Sequence, residues 1–246
     1  MTVIVCGLGK VGQGITRDLL VSGFYVIAFS RNRNQSAELF EREYPESFSF
    51  YPIDVTIKED VVKCLSSLRD GRHCVGLVNA TSYRPSVHQL GISSIESWKD
   101  SILYNSLSLH APTSAALEYF LLNKIPGSIV TVSSMYGLVA PNFELYEGTS
   151  YWTEVDYAYN KSASIGYSKY IATRYAKDGI RSNVICPGGV FSGQEDRFLE
   201  NYAKTVPLAR MANSSEIGPL ATFLISDKSS YMTGAVIPVD GGWTCQ

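Results

Sequence analysis

Charge of either sign is sparse in this 246-residue chain: 18% of residues are charged and the formal net charge is −2. Nothing in that balance draws the chain to nucleic acid or to an anionic membrane, so neither is an expected partner. Histidine is rarer still, with three residues that form no ligand pair. The five cysteines (Cys6, Cys64, Cys74, Cys186 and Cys245) show neither CxxC nor Cys/His metal spacing. That pattern argues against a metal site, and an odd set of thiols reads as free cysteines in a reducing compartment. No apolar run approaches the roughly 18 residues of a membrane span. The opening MTVIVCGLG lacks a basic leader and reaches a glycine turn too soon for a signal peptide. A cytoplasmic protein without a membrane segment is therefore expected.

What is present is apolar residue in short, regular parcels. The apolar share, 45%, is enough for a sizeable core in one domain spanning 1–246. Seven runs rich in β-branched and aromatic residues recur: TVIVC from 2, YVIAF from 25, FSFYPI from 48, VGLVN from 75, SIVTVSS from 128, SNVICP from 182 and AVIPV from 235. Helix-length segments lie between them at 12–22, 35–44, 58–70, 95–123, 157–177 and 214–226. Gly23, Gly71, Pro126 and Gly179 close several of these. Strand alternating with helix predicts an α/β fold: a doubly wound parallel sheet of about seven strands with helices on both faces and right-handed crossovers. No linker or repeat interrupts it. One stretch, 138–156 (LVAPNFELYEGTSYWTEVD), is too long for an ordinary helix–strand connection and is read as an inserted functional loop.

The first turn, CGLGKVGQG, follows the first strand and opens the first helix, supplying Gly7, Gly9, Gly12 and Gly14. Glycine there lets backbone approach a pyrophosphate seated on the helix N-terminus; the plainer reading is a tight strand–helix turn. The acid expected about 20 residues on, which would hold the 2′-hydroxyl of NAD, is missing, because the second strand ends in AFSRNRN with Ser30, Arg31 and Arg33. With Lys10 in the turn, that favours a 2′-phosphate and hence NADP over NAD. Two solvated loop charges are the alternative for Arg31 and Arg33.

In VDYAYNKSASIG, Tyr157 and Lys161 stand four apart, so on a helix they share a face, whereas Tyr159 points roughly 200° away. With 16 tyrosines in the chain such a pair arises readily by chance, and context must decide. The chemistry is available. Free tyrosine titrates near 10, so acid–base work near pH 7 asks for a shift worth roughly 4 kcal/mol. An ammonium about 4 Å away at an effective dielectric near 20 supplies about that much.

Taken in order, the glycine turn, Asp54 in IDVT, VNA at 78–80, Asn105, VSSMYG at 132–137, Tyr157 with Lys161, CPGGV at 186–190 and VDGG at 239–242 resemble the short-chain dehydrogenase/reductase family nearly end to end. The resemblance implies a Rossmann fold and an NAD(P)-dependent enzyme acting on an alcohol or carbonyl. It implies a catalytic group of Asn105, Ser134, Tyr157 and Lys161. The cofactor would meet Gly7, Gly9, Lys10, Val11, Gly12, Ser30, Arg31, Asp54, Val55, Asn79, Ala80, Tyr157, Lys161, Pro187, Gly188, Val190 and Ser192. Ser134 as a turn residue and Asn105 as a helix-packing amide are the plainer readings. Two departures stand out: Cys6 replaces the family's threonine with one extra residue before Gly12, and the Ser134-to-Tyr157 gap is about ten residues longer than is usual.

Because 138–156 is tethered between Ser134 and Tyr157, it must lie beside the substrate cleft. It carries Phe143, Glu144, Tyr146, Glu147, Tyr151 and Trp152, with Tyr136 just before it. Aromatic faces with acceptor carboxylates suit a polyhydroxylated ring, and Tyr136, Glu144, Glu147, Tyr151 and Trp152 are the candidate substrate residues. A steroid or acyl chain would favour a more uniformly apolar lining. The stretch APNFELYEGTS also resembles the flagellin-modification and sialic-acid-like sugar branch of the family. A structural flap or subunit contact is the alternative for this segment. For the whole chain the alternatives are a catalytically silent cofactor-binding sensor, or an epimerase or lyase using transient hydride transfer. Small residues on the helices at 95–123 and 157–177, such as Ala111, Ala115, Ala116, Ala158, Ala163 and Gly166, together with the resemblance, imply a homotetramer or homodimer.

Overall fold

The computed structural model describes residues 1–68, 72–84 and 94–246. Seven parallel strands, β1 (Thr2–Cys6), β2 (Tyr25–Ser30), β3 (Phe48–Pro52), β4 (Cys74–Asn79), β5 (Gly127–Val132), β6 (Ile180–Pro187) and β7 (Val236–Val239), form one sheet in the order β3-β2-β1-β4-β5-β6-β7. Among the described residues seven α-helices accompany them: α1 (Lys10–Val21), α2 (Gln35–Glu43), α3 (Lys58–Ser66), α4 (Ile95–Asn123), α5 (Val155–Tyr175), α6 (Asp196–Thr205) and α7 (Gly218–Ile225). The expected α/β alternation is thus observed. The order reverses direction between β1 and β4, so their carboxyl ends open a crevice where ligands bind in such sheets.

Side-chain alternation along β1 shows how both faces are covered. Val3 and Val5 join Ile15 and Leu19 of α1 and Leu224 of α7. Ile4 and Cys6 point the other way, to Ala115 and Phe120 of α4 and Ile171 of α5. A central parallel strand buried on both faces accordingly reads as an unbroken apolar run. Four cysteines are buried free thiols and Cys245 is an exposed one. Among the described residues, no helix is long and apolar enough to cross a membrane.

Several boundaries differ from expectation for local reasons. β5 ends at Val132 rather than at 134; the Ser133 N–H makes the last bond to β6, to the Ile185 carbonyl at 2.8 Å, and Ser134 follows beyond the ladder. The third helix stops at Ser66; Gly71, expected to close it, lies outside the described residues. Helix α6 was not anticipated from the sequence. Its buried residues Phe198 and Tyr202 are four apart, but the segment is short and follows an irregular connection. Of the small residues expected between subunits, Ala111, Ala115 and Ala116 are buried inside this chain, whereas Ala163 and Gly166 remain exposed.

Helix α1 approaches the segment before α7 closely enough that Gly14 has no room for a side chain. A Cβ there would sit 2.0 Å from the Ser214 carbonyl oxygen, and one on Gly218 would sit 2.6 Å from the Gly14 oxygen. Both obstacles are backbone, so relief requires the two elements to separate. Gly14→Ala is expected to destabilise the fold by about 1–3 kcal/mol or more, read as a lowered urea midpoint. An unchanged midpoint would show that the contact does not constrain the packing.

Candidate active site

The crevice at the carboxyl ends of the strands is a cavity of about 610 Å³. One end is formed by the glycine turn, and the structure separates its glycines by role. Gly7 turns the chain at φ +93°, and a Cβ on it would lie 2.8 Å from the Ala80 oxygen. Gly12 packs helix against turn, since its Cβ would fall 1.9 Å from the Gly7 oxygen. Gly9, at the N-cap of α1, faces nothing within 4 Å, and no side chain caps that helix. An open glycine beneath an uncapped helix N-terminus is the cradle a pyrophosphate fits.

Around this end, Lys10, Val11, Ser30, Arg31, Asp54, Val55 and Ala80 line the cavity. Arg33 does not: it pairs with Glu41, and its guanidinium lies 5.0 Å from the Phe50 ring centroid. Asp54 shapes its own loop, its Oδ1 accepting from the Thr56 N–H at 3.0 Å and hydroxyl at 2.8 Å. Pro187, Gly188, Val190 and Ser192 line the wall beyond β6. Asn79 instead donates to Thr113 Oγ1 at 2.9 Å and, with Asn105, lines a smaller cavity of about 280 Å³ behind Lys161.

At the other end stand Ser134, Tyr157 and Lys161. Helix α5 puts Tyr157 and Lys161 on its inner face, while Tyr159 lies outside against Trp98, with centroids 5.3 Å apart. Lys161 Nζ donates to the Val132 carbonyl at 3.2 Å and lies 5.7 Å from the Tyr157 ring centroid. Ser134 follows the end of β5, its Oγ accepting from the Tyr136 N–H at 3.2 Å. A second cation, Arg84, was not anticipated from the sequence; its guanidinium carbon lies 4.0 Å from the Tyr157 ring centroid. The available signal was its place four residues after Ala80, on the segment leaving the β4 carboxyl end.

Burial alone would push the Tyr157 phenol up. Arg84 and then Lys161 oppose it electrostatically, hydrogen bonding from Ser134 and Arg84 adds to them, and the net shift is downward. Lys161 is itself lowered, by burial first and by Arg84, with Tyr157 holding it up. Asn105 sits one step away. Its Oδ1 accepts from the Tyr83 N–H at 3.0 Å, and its Nδ2 donates to the carbonyls of Tyr83 at 2.9 Å and Ser101 at 2.8 Å. The amide therefore clamps the residue before Arg84.

The inserted stretch is sorted by a 3-10 turn, Phe143–Tyr146. Leu145 and Tyr146 turn inward and line the cavity with Tyr136 and Thr153. Glu144 and Glu147 are exposed and, with Tyr151 and Trp152, fall outside the lining. Trp152 packs on Phe143 and Tyr146, at 5.5 and 6.1 Å between centroids, and Tyr151 packs on Phe198 at 5.1 Å. Helix α6 holds the stretch in place, Asn201 Nδ2 donating to the carbonyls of Leu145 at 3.1 Å and Glu147 at 3.0 Å. The expected carboxylate acceptors are thus turned away, and the polar side chains lining this end among the described residues are hydroxyls, the Arg84 guanidinium, the Lys161 ammonium and the Gln194 amide.

A family model described as enoyl-(acyl carrier protein) reductase matches residues 9–244. The chain belongs to the short-chain dehydrogenase/reductase family. It is an NAD(P)-dependent oxidoreductase by that membership. Over 243 residues it is 27% identical to the post-translational flagellin modification protein A of Campylobacter coli, covering 96% of this chain and 94% of the relative. It is 26% identical to the 2-dehydro-3-deoxy-D-gluconate 5-dehydrogenase of Bacillus subtilis, covering 98% and 94%. Among solved structures, a short chain dehydrogenase from Leptospira borgpetersenii with bound NAD+ superposes with a TM-score of 0.87 at 25% identity, covering 99% of this chain and 92% of that one.

The glycine geometry separates fold from binding. Gly9→Ala should leave the urea midpoint unchanged and weaken NADPH binding at least about tenfold, whereas Gly12→Ala should lower the midpoint itself. Calorimetric titration beside denaturation checks both; full NADPH affinity in Gly9→Ala would remove the pyrophosphate from this turn.

Proposed function

We propose that the protein is an NADP-dependent oxidoreductase that interconverts an alcohol and a carbonyl on a sugar or sugar-derived substrate. The observation that carries the reaction is a phenol, Tyr157, flanked by two cations and a serine hydroxyl at the inner end of the cavity. Oxidation needs a base for the hydroxyl proton, and a phenol whose ionised form is favoured serves near neutral pH. In the reverse direction the same phenol returns the proton. Ser134 donates to the substrate oxygen, and Lys161, anchored to the Val132 carbonyl, keeps positive charge beside the phenolate. The nicotinamide cofactor, when bound, supplies or accepts the hydride.

For the cofactor, Ser30 and Arg31 at the end of β2 support a 2′-phosphate. Arg31 lines the cavity with no ion-pair partner among the described residues, unlike Arg33. For the substrate, the phenols of Tyr136, Tyr146 and Tyr202 and the Thr153 hydroxyl line the inner end; Tyr136 and Tyr146 bond to each other at 3.1 Å and Tyr202 accepts from the Gly189 N–H at 2.7 Å, and a hydroxyl's further donor and acceptor capacity suits a polyhydroxylated ligand. The sugar-acid dehydrogenase relative supports the same class.

Tyr157→Phe should lower kcat by about 10²- to 10⁴-fold at unchanged NADPH affinity, as expected for loss of general acid–base catalysis. A variant keeping a third of wild-type kcat would remove Tyr157 from the reaction. NADPH should bind more tightly than NADH, and Arg31→Ala should erase about 10- to 100-fold of that preference, the value of one charge-assisted phosphate contact. Equal affinities in wild type, measured by calorimetry, would overturn the NADP assignment.

A further inference from the structure

Arg84 is the cation nearest the Tyr157 ring, its guanidinium carbon 4.0 Å from the centroid against 5.7 Å for Lys161 Nζ, and it hydrogen-bonds to the phenol. Among the described residues no carboxylate forms an ion pair with it. Among the described residues the only acid lining the cavity is Asp54, which sits at the β3 end and is engaged with Thr56. The groups that share the inner end of the cavity with Arg84 are hydroxyls, those of Ser134, Tyr146, Thr153 and Tyr157, and the Tyr157 oxygen accepts from the guanidinium. Arg84 lines the cavity together with Tyr146 of the inserted stretch and Tyr157 of α5, and its charge acts on both phenols. The β4–α4 segment is held for this purpose on its near side, where Asn105 clamps both polar groups of the Tyr83 peptide and the Tyr83 ring lies 4.9 Å from that of Tyr104.

A planar guanidinium beside several hydroxyls, with no carboxylate paired to it among the described residues, is a receptor for a planar pair of anionic oxygens. We propose that Arg84 binds a carboxylate carried by the substrate itself, so that the preferred substrates are hydroxy acids and oxo acids with the acid group a few bonds from the reacting carbon. The pyrophosphate and 2′-phosphate of the cofactor have their own cations, Lys10 and Arg31, at the opposite end of the cavity. The closeness to Tyr157 fixes the reach: an anion on Arg84 belongs to the same small molecule whose oxygen meets the phenol. This inference rests on the oxidoreductase reading and narrows its substrate class.

The test compares binding of acids with their uncharged counterparts, carbon for carbon, to the NADP-loaded protein by calorimetry. Aldonates are set against the matching alditols, and 2-hydroxybutyrate against 2-butanol. An acid advantage of about 10- to 100-fold is expected, lost in Arg84→Gln and partly kept in Arg84→Lys, at unchanged NADPH affinity. Binding is the primary readout because removing Arg84 also alters Tyr157 and so slows turnover of every substrate. Equal binding of acids and neutral compounds, or equal weakening of both in Arg84→Gln, would overturn the proposal and leave Arg84 as a positioning residue for the phenol. If the Arg84-dependent advantage is found for 2-hydroxybutyrate alone, the acid receptor stands and the sugar reading falls. If alditols bind as well as aldonates, the sugar reading stands and the receptor falls.

Discussion

The contact on which the rest of the site depends is the one between the Lys161 ammonium and the Val132 carbonyl, 3.2 Å apart at the carboxyl end of β5. It is reinforced from the strand side, where the Ser133 hydroxyl donates to the Lys161 carbonyl at 2.7 Å. Gly137 permits the approach, because a Cβ there would press on the Lys161 backbone at 3.0 Å. These bonds fix the rotation of α5 relative to the sheet. Once that rotation is fixed, Tyr157, one turn earlier, must project over Ser134. A helix free to roll by one residue, about 100°, would carry the phenol out of the cavity.

The two ends of the cavity then divide the electrostatic work. Backbone N–H groups, Lys10 and Arg31 make the outer end electropositive, suited to phosphates. At the inner end, burial works against ionising Tyr157 and two cations work for it, the larger contribution coming from Arg84. A lysine alone was a sufficient source of charge on Coulombic grounds, but the fold supplies a second cation from the segment that follows β4. On the proposed reading this links the group that binds substrate to the group that moves the proton, since an anion on Arg84 would change the field at the phenol.

The inserted stretch shows how a loop of mixed polarity is sorted. Its aromatic residues condense with Phe198 and Tyr202 of α6 and with Trp243 into a small separate core. That core fixes which residues face the cavity: Tyr146 and Leu145 turn in and the flanking glutamates turn out. The apolar burial that stabilises the loop therefore also removes its carboxylates from the ligand.

The strand–helix alternation, the glycine turn after β1, the lack of an acid after β2 and the pairing of Tyr157 with Lys161 were all legible in the sequence. Each is a property of a single element or of one turn, where period and backbone geometry decide which residues share a face. Tertiary structure decided what joins elements far apart in sequence. It set Arg84 over Tyr157, used the Asn105 amide to clamp the Tyr83 peptide, made Arg33 a partner of Glu41 while leaving Arg31 to the cavity, and brought α6 under the inserted stretch. Those outcomes depend on how whole faces pack, and a side chain's neighbours across such a contact have no periodic signature in the chain.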